Sequence, residues 1–213
     1  MTEPSGSYRF VEDLHAAFAS RKAAIRRRLA EFGTISRHEY FYEMAYCILT
    51  PQSSATRAAA AIDALRLLDR WDDHDLLARI LARQESYIRF HRTKARHLVR
   101  AHTQFPEIAI RLEEGEPGAQ LRNWLVANVS GLGWKEASHF LRNIGHRNLA
   151  ILDRHILKNL QRHGVLSSPP RTMTRTNYLA IEQQFALFCI HVGLTMDELD
   201  LLFWSRETGQ VLK

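Results

Sequence analysis

The chain has 213 residues, 46% of them hydrophobic, and carries 29 Lys+Arg against 23 Asp+Glu for a net charge of +6. That length suits one substantial domain or two small subdomains sharing an interface, and the basic excess favours a polyanionic partner, nucleic acid before membrane, because no segment is a basic amphipathic anchor. The polar start MTEPSGSYRF lacks a signal peptide's apolar core, and no apolar run approaches the ~18 residues of a membrane span, so a cytosolic protein with no membrane partner is expected.

Helical periodicity dominates the chain from its first elements. Phe10, Leu14, Phe18 and Ile25 recur on one face of a first helix that ends in the basic run Arg26-Arg27-Arg28. Ser36 is placed to cap a second helix, with Tyr40, Phe41, Met44, Cys47 and Ile48 on its core side. Thr50-Pro51-Gln52-Ser53-Ser54 breaks that helix, and Ser53 or Ser54 caps an alanine-rich third one carrying Ala59, Ile62, Leu65 and Leu68. A short helix is predicted over 72–82. Residues 86–92, SYIRFHR, form a basic and aromatic connector, and Thr93 starts a basic helix with Lys94, Arg96 and Arg100.

Glu116-Pro117-Gly118 reads as a turn, and Leu121 to Val129 as an apolar-faced helix. Asp153 opens a helix to about His163, where Gly164 stops it. Ser167 to Pro170 is a loop, and helices over Asn177 to Val192 and Met196 to Phe203 complete the chain. No alternating strand run and no internal repeat appears, so the expected fold class is all-α. Cys47 and Cys189 each sit in an apolar stretch and read as buried, reduced thiols; two cysteines are too few to ligate an iron–sulfur cluster. The eleven histidines are scattered without metal-ligand spacing, and neither a P-loop nor a Rossmann fingerprint is present.

The chemistry concentrates in VSGLGWKEASHFLRNIGHRNLAILDRH, residues 129–155. Gly131-Leu132-Gly133 is a tight hairpin between two apolar-faced helices. Its glycines permit positive φ and leave backbone N–H groups open, and at a helix start those donors attract a phosphate. Lys135 lies in the first turn of the following helix, and Asp153 comes 153−135 = 18 residues later. A lysine in a first turn is disfavoured by the helix dipole, which pushes it toward the neutral amine that nucleophilic attack requires. Read blandly, Lys135 is a solvated surface lysine and Asp153 a helix cap worth ~1 kcal/mol.

Four pieces, GLGWKEASHFLRN, LAILDRHIL, CILTPQSSA and FWSRETGQVLK, together resemble the helix-hairpin-helix DNA glycosylase superfamily. Within it the chain is most similar to the second type of 8-oxoguanine DNA glycosylase/AP lyase, found in archaea and some bacteria. The resemblance runs from about residue 40 to the end. It implies two helical subdomains, 36–145 with the hairpin and 1–35 plus 146–213 packed together, in one catalytic unit of residues 1–213. It implies duplex DNA containing 8-oxoguanine or abasic sites as the partner, a monomer, and a cytoplasmic, nucleoid-associated location.

By this resemblance Lys135 is the Schiff-base nucleophile, and Asp153 helps activate it and stabilises positive charge on the sugar. Gly131 and Gly133 bind a backbone phosphate, with a monovalent cation at the 131–133 backbone and no other cofactor. Ser130 stands where many relatives have proline, and Pro51-Gln52 where close relatives have a small residue followed by asparagine.

Three further groups acquire roles from the same resemblance. Gln52, Ser53 and Arg57 are expected at the DNA, where Gln and Arg side chains fill the hole left by a flipped base and bond the orphan's edge; read alone, the loop is a polar connection with a serine cap. Arg89 and Phe90 supply a wedge flanked by cations, although Phe90 by itself reads equally as core. Lys94 and Arg96 are expected to be generic phosphate contacts. Trp204 and the terminal Lys213 are implied in base recognition, and a terminal carboxylate is an acceptor that could tell the N7–H of 8-oxoguanine from the bare N7 of guanine.

Overall fold

In the computed structural model residues 8–211 are described. Ten α-helices and no strand occur among them. The chain divides into two compact units, 35–140 and 1–34 joined with 141–213, with the second boundary falling inside a helix.

The unit of residues 35–140 is built on α2 (Tyr40–Leu49), α3 (Ala55–Leu65), α4 (His74–Leu81) and α5 (His91–Glu113), followed by α6 (Gly118–Asn128) and most of α7 (Trp134–Asn143). The helix α5 packs on both α2 and α4. Its core is the apolar stripe read from the sequence: Phe41, Met44, Cys47 and Ile48 are buried, joined by Ile62, Leu65, Leu77, Leu81, Ala95 and Leu98. Leu68 lies past the end of α3 and is not part of this core. Ser36 does not cap α2 with its side chain. A 3-10 turn over Arg37–Glu39 leads into that helix, and neither Ser36 nor Glu39 makes a side-chain cap bond. Ser54, not Ser53, caps α3, its Oγ accepting from Arg57 N–H. Asp73 caps α4 in the same way through the N–H groups of Asp75 and Leu76.

In the other unit, α1 (Val11–Gly33) and α8 (Arg154–Arg162) pack on α10 (Met196–Thr208), as does α9 (Arg175–Val192). Leu14, Phe18 and Ile25 are buried, but Phe10 is 53% exposed. Phe10 sits one residue before α1 in the left-handed region with φ 55°, off the apolar stripe that the helix carries. The arginine run does not end α1, because arginine is a good helix former, and Phe32 extends the buried face. The helix α10 outlasts the expected stop at Phe203, and every residue from Met196 to Phe203 is buried. A helix buried all round must partner its acids. Asp197 accepts the Asn148 N–H, Glu198 completes a capping box with Thr195 and pairs with Arg26, and Asp200 pairs with Arg142 at 2.7 Å. Cys47 and Cys189 are buried and free, and burial pushes the Cys189 thiol up to about 12, so it stays protonated at neutral pH.

Candidate functional site

The hairpin joins α6 to α7 within the unit of residues 35–140. Arg122, 2% exposed on α6, donates to Ser138 Oγ on α7 at 3.1 Å and lies 5.1 Å from the centre of the Trp134 ring, so one cation clamps both helices. Between them Leu132 N–H donates to Val129 O at 3.2 Å, and buried Leu132 anchors the turn. Gly131 has φ +97°, and a Cβ there would lie 3.0 Å from His97 Cβ and Cγ. Both backbone angle and space therefore require glycine at this position. His97, on α5, also shares a 2.8 Å hydrogen bond between Nδ1 and Ser130 Oγ. Ser130 thus ties the hairpin to α5. Burial and the charge of Arg100 hold the His97 imidazole below its usual range, which favours the neutral ring.

Lys135 stands at the second position of α7 with its side chain 22% exposed, and its Nζ lies 3.3 Å from Glu136 Oε1. The other oxygen of Glu136 accepts the Gly133 N–H at 3.2 Å. Contrary to the expectation from the sequence, the hairpin donors are not all open: Leu132 and Gly133 have partners, the latter through half of a capping box. Lys94, expected at the surface holding a phosphate, is instead 6% exposed. Its ammonium donates to Leu49 O at 2.8 Å and Pro51 O at 2.6 Å. Burial pushes Lys94 down to about 8; the charge of Lys135 acts the same way, and Glu136 opposes both.

The two loops expected to enter DNA are tied to each other. Ser53 Oγ accepts the Arg89 N–H at 3.1 Å, joining the loop of Gln52 to the turn of Phe90. Gln52 and Phe90 both adopt left-handed backbone, with φ 56° and 61°. Non-glycine residues held there cost of order 1–3 kcal/mol each, and such strain clusters at functional loops. Phe90 is 53% exposed at the N-terminus of α5, with the Arg89 guanidinium 4.9 Å from its ring centre. An exposed aromatic beside a cation is the arrangement a wedge needs, and the alternative of a core Phe90 is not seen. Arg57 is exposed on the first turn of α3.

In the other unit Asp153 caps α8, with Oδ1 accepting the His155 and Ile156 N–H groups at 2.8 Å each. Asp153 is part-exposed, and its charge reaches Asp200, a buried carboxyl pushed up to about 7 by desolvation against the pull of Arg142. Trp204 lies within α10, its ring 5.0 Å from that of His155. Lys213 lies outside the described residues.

The 8-oxoguanine DNA glycosylase family model matches residues 25–194, which include Lys135, Asp153 and both loops. The chain belongs to this family. A Korarchaeum cryptofilum 8-oxoguanine DNA glycosylase/AP lyase is 38% identical over 95% of this chain and 97% of its own. One from Fusobacterium nucleatum is 34% identical over 96% and 98%. The crystal structure of Methanocaldococcus jannaschii 8-oxoguanine glycosylase/lyase in complex with 15mer DNA containing 8-oxoguanine is similar with a TM-score of 0.86, at 33% identity, covering 96% of this chain and 99% of that one. The Thermotoga maritima 8-oxoguanine DNA glycosylase structure gives 0.84 at 30% identity over 96% and 98%.

In this 8-oxoguanine DNA glycosylase family member, the sequence reading missed two residues of the site, Glu136 and Arg122, and misplaced a third, Lys94. Glu136 follows the hairpin glycine by three residues, a capping-box spacing that signals it. Lys94 falls on the apolar stripe of α5 with Leu98 and Ala101, so the period itself pointed inward. Arg122 had no such signal beyond a place among apolar neighbours. A monovalent cation at the hairpin would be held by backbone carbonyls, hard oxygen donors of the kind such an ion takes.

Proposed function

We propose that this chain excises 8-oxoguanine from duplex DNA and cleaves the resulting abasic strand, with Lys135 as nucleophile. One observation carries the reading: Lys135 stands part-buried in the first turn of α7, two residues after a glycine turn, in a chain of the 8-oxoguanine DNA glycosylase family. That a similar structure holds DNA containing 8-oxoguanine supports a lesion duplex as substrate. Phe90 enters the stack with Arg89 at the flanking phosphates, and Gln52, Ser53 and Arg57 serve the vacated position and the orphaned base. Gly131 and Gly133 hold a backbone phosphate. Trp204 and Lys213 act on the flipped base.

Neutral Lys135 attacks C1′ while the bond from C1′ to the base nitrogen breaks; the base leaves with that electron pair and takes up a proton. Asp153 stabilises the positive charge that develops on the sugar. The amine loses a proton as the sugar ring opens to an imine. Loss of a C2′ proton then expels the 3′ phosphate in β-elimination. The protein works as a monomer, with neither an iron–sulfur cluster nor an organic cofactor.

Borohydride tests the reading because it reduces an imine to a stable secondary amine. Wild-type protein becomes covalently linked to 8-oxoguanine duplex, whereas Lys135→Gln shows neither linkage nor base release and still shifts the duplex on a native gel. A protein that only binds DNA gives no linkage at all. Strand cleavage by Lys135→Gln at the wild-type rate overturns the assignment.

A further inference from the structure

Glu136 uses one carboxylate for two contacts, Oε2 to the Gly133 N–H at 3.2 Å and Oε1 to Lys135 Nζ at 3.3 Å, with its side chain 16% exposed. The first contact alone is a helix cap. The second brings an anion to the amine that must attack the sugar. Gly133 is what allows the approach, since a Cβ there would lie 2.8 Å from Oε2. A backbone N–H at a helix start beside a glycine turn is also the donor a DNA phosphate takes. In the free protein a carboxylate already holds it, and two anions on one donor repel strongly where water is partly excluded.

We infer that Glu136 is a positioning residue that stands in for the DNA phosphate in the free protein, holding Gly133 N–H and Lys135 until the phosphate displaces it. This rests on the reading of the hairpin and Lys135 given above. Displacement unpairs the Lys135 amine only once DNA is seated, which couples binding to the nucleophile. The charged neighbour on α5 is Lys94, which feels the charges of both Lys135 and Glu136. It leaves the displaced carboxylate a counter-charge close by.

Glu136→Gln separates the stand-in from the cap. The amide oxygen still accepts the Gly133 N–H, but the competing charge is gone. The dissociation constant for undamaged duplex and the KM for cleavage at a preformed abasic site should each fall about 3- to 10-fold, with saturating kcat changed less than about twofold, because the competition exists only in the free protein. Glu107→Gln removes the same charge from an exposed turn of α5 and measures the general charge effect, which Glu136→Gln must exceed. An unchanged melting temperature in Glu136→Gln shows that the cap survives. If Glu136→Gln binds no tighter than Glu107→Gln, or if the change falls on kcat instead of KM, the inference is overturned. Absence of borohydride trapping in the wild type would sink the functional reading instead, and duplex binding by Glu136→Gln would still report on the stand-in, since it needs no chemistry at Lys135.

Discussion

At Lys94 a positive charge is held almost wholly out of water, with two backbone carbonyls as its hydrogen-bond partners. The helix α2 ends at Leu49 and the loop of Gln52 begins just after it, so those bonds fix the loop's root. Burial costs the ammonium its hydration, which is why the group is pushed from 10.5 down to about 8. Below pH 8 folded and unfolded chains both carry the proton, and the folded state bears the burial cost in full. Between pH 8 and 10.5 the unfolded chain keeps a proton that the folded chain has released, so stability rises with pH through that window. Urea unfolding at about pH 7.5 and about pH 10 should therefore show wild-type stability rising relative to Lys94→Met by on the order of 1–3 kcal/mol. The comparison is of slopes, because the methionine also leaves two carbonyls without a donor at a cost of ~1–3 kcal/mol each. Parallel pH dependence in the two proteins would refute a depressed Lys94.

Where α8 begins, the helix cap and the proposed charge opposite the sugar fall to one carboxylate. The Asp153 carboxylate spends Oδ1 on two backbone N–H groups of α8. Asparagine caps as well as aspartate, whereas alanine does not. Asp153→Asn should thus keep its melting temperature yet lose ~100-fold or more in single-turnover base release, as for a positioned charged group. Asp153→Ala should lose activity and about 1 kcal/mol of stability together. A fully active Asp153→Asn would leave the capping role alone. The hairpin before α7 was legible as a local pattern, since GLG between apolar-faced helices needs no distant partner to be recognised. Its occupancy was legible only in part: the carboxylate on Gly133 N–H sits at a capping-box spacing, but the imidazole over Gly131 comes from α5, in a direction that spacing does not encode.

For the whole molecule, a net charge of +6 and exposed cations such as Arg96 predict binding that weakens steeply with salt through counterion release. Arg96→Ala should weaken lesion and plain duplex alike and lower the slope of log affinity against log salt by about 1. Lys94→Met should leave that slope unchanged, because a buried ammonium contacts no phosphate; a slope lower by about 1 would put Lys94 at the DNA after all. Among the described residues no helix is long and apolar enough to cross a membrane. The sequence by itself determined the all-α class, the core stripes of α1, α2 and α3, the glycine turn with Lys135 behind it, and the cap at Asp153. Those features repeat at helical spacing or lie within a few residues of one another, where local geometry decides. Tertiary structure alone decided that buried Lys94 meets the carbonyls of Leu49 and Pro51, that Ser53 binds Arg89 across 36 residues, and that Arg142 neutralises Asp200 across 58. In each case a polar group is buried or tied by a partner far along the chain, and only the packed fold supplies the partner that desolvation demands.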